Sequence, residues 1–258
     1  MQQICDDLEA QHAALDAVVA DLDERGWALP TAAEGWNVRD TIFHIYYFDD
    51  TAREAVVDPE LFQQRMATIM AGQVDPVVLA AALSGPELLS RWRSTRAALV
   101  AALRALDPKT RIEWFGPPMS ALSFATARLM EAWSHGHDVA DALGRTIENT
   151  DRIRHIAHLG VVTRGWSYFN RGLAPSEVPV RIELVAPSGA TWTWGPDDAA
   201  DVVRGSAVDF CLVVTQRRLI GDVELEVVGP AATEWMSIAQ AFAGPASLTD
   251  QRRSAAAR

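Results

Sequence analysis

Cysteine is scarce in this chain: there are two among 258 residues, Cys5 and Cys211. Two are too few for a disulfide framework or a zinc site built from thiolates. Neither has a histidine or basic cluster nearby in sequence, so both are read as buried or incidental thiols and not as nucleophiles. Basic residues are in deficit, 23 Lys and Arg against 34 Asp and Glu, for a formal charge of −11. That balance suits a phosphate backbone poorly, and no basic run offsets it locally, which argues against nucleic-acid binding. Long apolar runs are missing too: no stretch reaches the ~20 residues of a membrane span, and mean hydropathy is +0.00. The opening MQQICDDLEA lacks the basic and apolar regions of a signal peptide. These absences lead to the expectation of a soluble cytoplasmic protein. Histidine is also sparse, at six residues, and the placement of those six matters most for chemistry.

What is present is an ordinary globular composition, 49% hydrophobic and 22% charged, whose periodicity changes at Gly144. Before it the pattern is helical. Leu8, Leu15, Val18, Val19 and Leu22 mark a helix over 3–25, ended by Gly26. A second runs from Asn37, a candidate cap, to Val57, where Asp58-Pro59 stops it. A shorter helix over 60–71 precedes the break at Gly85-Pro86, and long helices over 87–106 and 120–143 follow, the last stopped by Gly144. Four long amphipathic helices make a four-helix bundle over 1–145 the economical fold.

After Gly144, residues 146–170 form a bridge with one helix at 151–168. PVRIELVAP and GATWTWGP alternate around Pro-Ser-Gly as a β-hairpin, and DVELEVVG alternates as a further strand. The apolar stretch 208–216 is ambiguous by periodicity, and Ser206 as a cap favours a helix. With a closing helix over 231–243, this predicts a small α+β domain at 171–245 and a flexible tail at 246–258.

In the helix over 120–143, Glu131 and His135 are four residues apart, so both leave one face at a separation that can chelate one ion. Asp138 shares that face and can ligate directly or hold an imidazole. His137 is rotated away. Phe124, Ala127 and Ala142 lie on the same stripe, so these polar groups point towards an apolar interior, where leaving them unpaired would cost several kcal/mol. A metal would satisfy them, and so would a hydrogen-bonded patch. His44, among Ile42, Phe43, Ile45 and Tyr47, is either a core histidine or a third ligand from a neighbouring helix. In the second case His44, Glu131 and His135 make a His₂Glu site with a position open to water or substrate, as in catalytic metal centres. His12, His155 and His158 are read as structural.

The stretches GWNVRDTIFHI and MEAWSHGHDVADALG resemble the DinB/mycothiol-dependent maleylpyruvate isomerase superfamily, and WFGPPMSALSFATARLMEAWSHGHDVADALG, APSGATWTWGP and DFCLVVTQRR resemble in particular an actinobacterial metal-binding branch. The resemblance covers nearly the whole chain, because members append a domain similar to sterol carrier protein 2. It implies a DinB-like bundle with His44, Glu131 and His135 as ligands of a divalent metal and Asp138 in the position of the following aspartate. Two histidines and a carboxylate suit zinc first, and also nickel, iron or manganese. The resemblance further implies mycothiol as cosubstrate, its thiol made a thiolate by the metal near neutral pH. Such chemistry adds the thiol to a small electrophile, by isomerase or transferase routes. Asp138 is expected to orient His135 or to act as a base. Trp36 and Trp133 are candidate pocket walls, the other tryptophans being read as packing. Arg39 and Arg128 head a set of candidate cations for a substrate carboxylate, with Arg91, Arg204, Arg217 and Arg218 behind them. Two alternatives remain open: Lewis-acid lyase, hydrolase or cyclase chemistry without thiol, and a non-enzymatic carrier of an apolar ligand with a bracing metal. The expected partner is a small molecule, and the expected state a monomer or homodimer.

Overall fold

The computed structural model describes residues 1–244, and the chain divides into two compact units after Ile147. The tail expected over 246–258 lies outside the described residues.

The first unit is built on helices. Helix α1 (Gln2–Val19) buries Ile4, Leu8, Leu15, Val18 and Val19 along one stripe. The sequence pattern continues to residue 25, but Asp23 interrupts it. Its side chain accepts the Gly26 N–H at 2.9 Å and caps a separate one-turn helix, α2 (Glu24–Trp27). Helix α3 (Val38–Val57) starts in a reciprocal capping box: the Asn37 side chain accepts the Asp40 N–H and the Asp40 carboxylate accepts the Asn37 N–H, both at 3.0 Å. Asp58 ends α3 and caps α4 (Pro59–Met70), and a short α5 (Pro76–Ala81), absent from the sequence expectation, follows. In α6 (Gly85–Arg104) the Gly85-Pro86 pair stands inside the first turn. Ser84 supplies the cap there, and proline near a helix start forfeits no hydrogen bond. A two-residue hairpin, β1 (Arg111–Ile112) with β2 (Met119–Ser120), leads into α7 (Ala121–Leu143), which Gly144 ends with φ +61°.

Helices α1 and α3 each pack against both α6 and α7. Their shared core holds Leu15, Trp27, Ile42, Phe43, Trp92 and Val139. The contact between α3 and α7 is the one that matters for chemistry, because it brings the two motif stretches together.

The second unit is a mixed sheet with helices. The bridge is not one helix: a 3₁₀ turn at Asp151–Ile153 is followed by α8 (Arg154–Val162) and α9 (Arg164–Phe169). The break falls at Thr163, whose hydroxyl donates to the Leu159 and Gly160 carbonyls at 2.7 and 3.3 Å and so competes with the helical ladder. Strands β3 (Val180–Val185) and β4 (Thr191–Trp194) form the expected hairpin, with Val180, Ile182 and Leu184 buried. An unexpected strand, β5 (Asp201–Ser206), lies parallel to β3, and β6 (Leu225–Val228) closes the order β4-β3-β5-β6. Ser206 caps α10 (Ala207–Val214), accepting the Val208 and Asp209 N–H groups at 3.1 and 3.5 Å. The last described helix, α11 (Pro230–Ile238), is shorter than the expected 231–243. No helix among the described residues is long and apolar enough to cross a membrane.

Candidate metal centre

His44 comes from the second turn of α3, and Glu131 and His135 from successive turns of α7. Glu131 Oε2 lies 3.7 Å from His44 Nε2 and 3.5 Å from His135 Nε2, and the three ligand atoms lie within 4.8 Å of one another. Donors bound to one tetrahedral ion at zinc-like bond lengths stand about 3.4 Å apart, so two of the three pairs are already near that spacing. The side chains keep 19%, 25% and 12% of their surface exposed for His44, Glu131 and His135, so solvent or a ligand can reach them.

The protonation states favour the same use. Burial pushes the His44 imidazole down to about 4 against the opposing pull of Glu131, so it is neutral at ordinary pH and keeps a lone pair. Burial alone would raise Glu131, but the His135 and His44 imidazoles beside it, at 3.5 and 3.7 Å, hold its carboxyl well below the usual range, so it is an anion. Asp138, buried, places Oδ2 3.0 Å from His135 Nδ1. With the proton on Nδ1, that contact leaves Nε2 as the donor atom facing Glu131. Trp36 stacks on His135 with ring centres 6.1 Å apart and tilts over His44 at 5.1 Å.

Three expected substrate groups have partners of their own. Trp133 is fully buried and sits edge-on to His137 at 4.4 Å. Two residues from both Glu131 and His135, it is turned about 200° around α7 from them, so sequence proximity does not make it a pocket wall. Arg39 pairs with Glu24 of α2. Arg128 is buried, its Nε and Nη2 donating to Asp49 Oδ1 at 3.1 and 3.0 Å, so it is already paired, though its charge still acts on His44. Arg91 and Arg204 likewise pair with Glu87 and Glu183.

Other residues at the site were missed by sequence reasoning. Phe48 meets His44 at 4.7 Å between ring centres. Its i+4 position on α3 was the available signal. Asp49 gathers Arg128, Trp92 and His12, and no local pattern announces a contact among residues so far apart. Trp114 and Phe115 reach Phe48 from the hairpin loop, at 6.4 and 5.8 Å.

Comparison with known proteins places these residues in context. The family described as mycothiol maleylpyruvate isomerase N-terminal domain matches residues 8–140, the span that holds His44, Glu131, His135 and Asp138. A second family, described as wyosine base formation, matches residues 176–225. Two uncharacterised proteins from two strains of Mycobacterium tuberculosis are 49% identical over 243 residues, covering 93% of this chain and 95% of theirs. The crystal structure of a mycothiol-dependent maleylpyruvate isomerase has a similar fold, with TM-score 0.54 and 18% identity over 84% of this chain and 89% of that one. A single-histidine mutant of that isomerase gives TM-score 0.53 and 17% identity over the same shares.

Proposed function

Because the chain belongs to the mycothiol maleylpyruvate isomerase N-terminal domain family, we propose that it is a metal-dependent enzyme using a low-molecular-weight thiol, mycothiol, on a small electrophile. The reaction is addition, transfer or isomerisation of that electrophile. The observation that carries this reading is the convergence of one carboxylate and two imidazole donors from α3 and α7 at a partly buried position. The donor set fits a divalent ion, zinc first: it supplies one negative charge, a neutral imidazole at His44, and room for a further ligand. A bound divalent ion would lower the pKa of a coordinated thiol so that the thiolate is present near neutral pH.

The chain's own residues supply the rest. Asp138 fixes the His135 ring through Nδ1 and so directs Nε2. Glu131 offsets positive charge at the site, and Trp36 covers His44 and His135 on one side and limits water there. For the second unit we propose the sterol-carrier-protein-2-like fold, supported by its four-stranded sheet with accompanying helices. The match to wyosine base formation covers part of that unit and none of the trio, and the charge of −11 weighs against a nucleic-acid partner.

The test is turnover of small conjugated electrophiles by zinc-loaded protein with and without mycothiol. Product formation that requires mycothiol and stops in His44→Ala is expected. Metal-dependent turnover indifferent to thiol would overturn the thiol assignment.

A further inference from the structure

The aromatic surface around His44 extends beyond what three metal ligands need. The imidazole meets Trp36 at 5.1 Å between ring centres and Phe48 at 4.7 Å. From Phe48 the surface continues edge-on to Phe115 and Trp114. All four rings are only partly buried, whereas Phe62 and Phe124, which pack on Trp114, are fully buried. The buried pair accounts for the folding of the hairpin loop. Phe115 also packs on Phe62, at 6.0 Å between ring centres, yet it and Phe48 stay only partly buried, Phe48 directly beside His44. A short connecting loop ordinarily carries small or polar turn residues, yet residues 113–118 read Glu-Trp-Phe-Gly-Pro-Pro. Apolar area left in water beside a ligand site is area that a bound molecule can cover favourably.

Charge narrows the choice of occupant. Arg39 and Arg128, the two cations that sequence reasoning placed at the site, are held by Glu24 and Asp49. Neither of these two is free to pair with a substrate carboxylate, although the Arg128 charge still acts on His44, and the rings beside His44 offer flat apolar surface.

We infer that Trp36, Phe48, Trp114 and Phe115 form a specificity subsite that takes a flat apolar substituent of the electrophile, an aryl or extended conjugated group, beside His44. This rests on the proposal above that a small electrophile is the substrate, and it names the class of that electrophile. Phe115 is the position to test, since it lies in a loop and contributes to no helix.

The experiment measures binding alone, on metal-loaded full-length protein with no thiol present. Benzylideneacetone and ethylideneacetone, enones that differ by phenyl in place of methyl, are titrated by ligand-observed NMR. The phenyl compound should bind at least about tenfold more tightly. Phe115→Ala should remove most of that ratio, and Phe115→Leu, which keeps apolar volume without the flat ring, should fall between. Equal affinity for the two enones, no binding of either, or an unchanged ratio in both variants overturns the subsite. Because thiol is absent, these outcomes are separate from the fate of the mycothiol proposal. Failure of mycothiol-dependent turnover alongside an intact phenyl preference would remove the reaction and leave the subsite standing.

Discussion

Arg128 on α7 and Asp49 on α3, 79 residues apart, form a buried ion pair in which two guanidinium nitrogens converge on one carboxylate oxygen. The other oxygen accepts the Trp92 Nε1–H at 2.9 Å and lies 3.2 Å from His12 Nε2. His12 belongs to α1 and Trp92 to α6, so three bundle helices each send one side chain to a carboxylate supplied by the fourth, α3. Arg128 precedes Glu131 by three residues, one turn of α7, and Asp49 follows His44 on α3. The same hub therefore fixes the two helices that carry the proposed metal donors.

Replacing Asp49 should unfold the bundle more readily than any surface change. Asp49→Asn keeps the shape but leaves the Arg128 charge buried without its counter-ion, a loss of about 3–5 kcal/mol. Urea unfolding followed by far-ultraviolet circular dichroism should show the midpoint fall accordingly. A change below about 1 kcal/mol would mean that the hub does not hold the helices together.

The hub also sets an acid limit. Burial opposes ionisation of Asp49, but the charges of His12 and Arg128 outweigh it, and the carboxyl is lowered from 3.8 to about 2. A folded value below the unfolded one means that the charged form is favoured by folding. The contribution, about 2 kcal/mol, is complete above roughly pH 4 and is lost as pH falls towards 2. Urea midpoints measured between pH 5 and pH 2 should show this decline in the unsubstituted protein and a shallower one in Asp49→Asn. Parallel curves for the two proteins would contradict the assignment.

Asp138 acts through His135 and so should tune metal affinity without abolishing it. Asp138→Asn should weaken zinc binding by about 10–100-fold while leaving the stoichiometry unchanged. Competition with a chromophoric chelator measures this directly. Complete loss of zinc would make Asp138 a ligand in its own right, and unchanged affinity would remove its orienting role.

Arg39 offers a contrast. Its partner Glu24 is largely exposed, so Arg39→Ala should shift stability by at most about 1 kcal/mol. Zinc affinity should stay within about twofold of the unsubstituted protein, because the pair touches none of the donors. A larger effect on affinity would return Arg39 to the site.

The parts of this site that could be read from sequence are those written in local spacing. Glu131 and His135 are one helical turn apart, Asp138 follows on the same face, and Asn37 caps the helix that carries His44. Trp133 is adjacent to the donors in sequence but not in space, because each helical residue turns its side chain by about 100°. The pairing of Asp49 with Arg128 is not legible: it is set by packing of α3 on α7, and Arg128 alone reads as a candidate cation for a substrate carboxylate. Strand β5 was missed because its last three residues, Arg204, Gly205 and Ser206, break the apolar run of Val202 and Val203. Only pairing with β3 and β6 makes it a strand. In the bundle, caps marked helix starts well, whereas Asp23 showed that an internal cap overrides an apolar pattern that continues past it.

The central claim is that His44, Glu131 and His135 bind one divalent ion, and its most direct test is zinc content after equilibration. Metal-free protein incubated with zinc and freed of excess should retain about one ion per chain. His44→Ala and Glu131→Ala should each lose it while keeping the helical circular dichroism spectrum. Failure of the unsubstituted protein to retain zinc, or equal retention by the two variants, would contradict the claim.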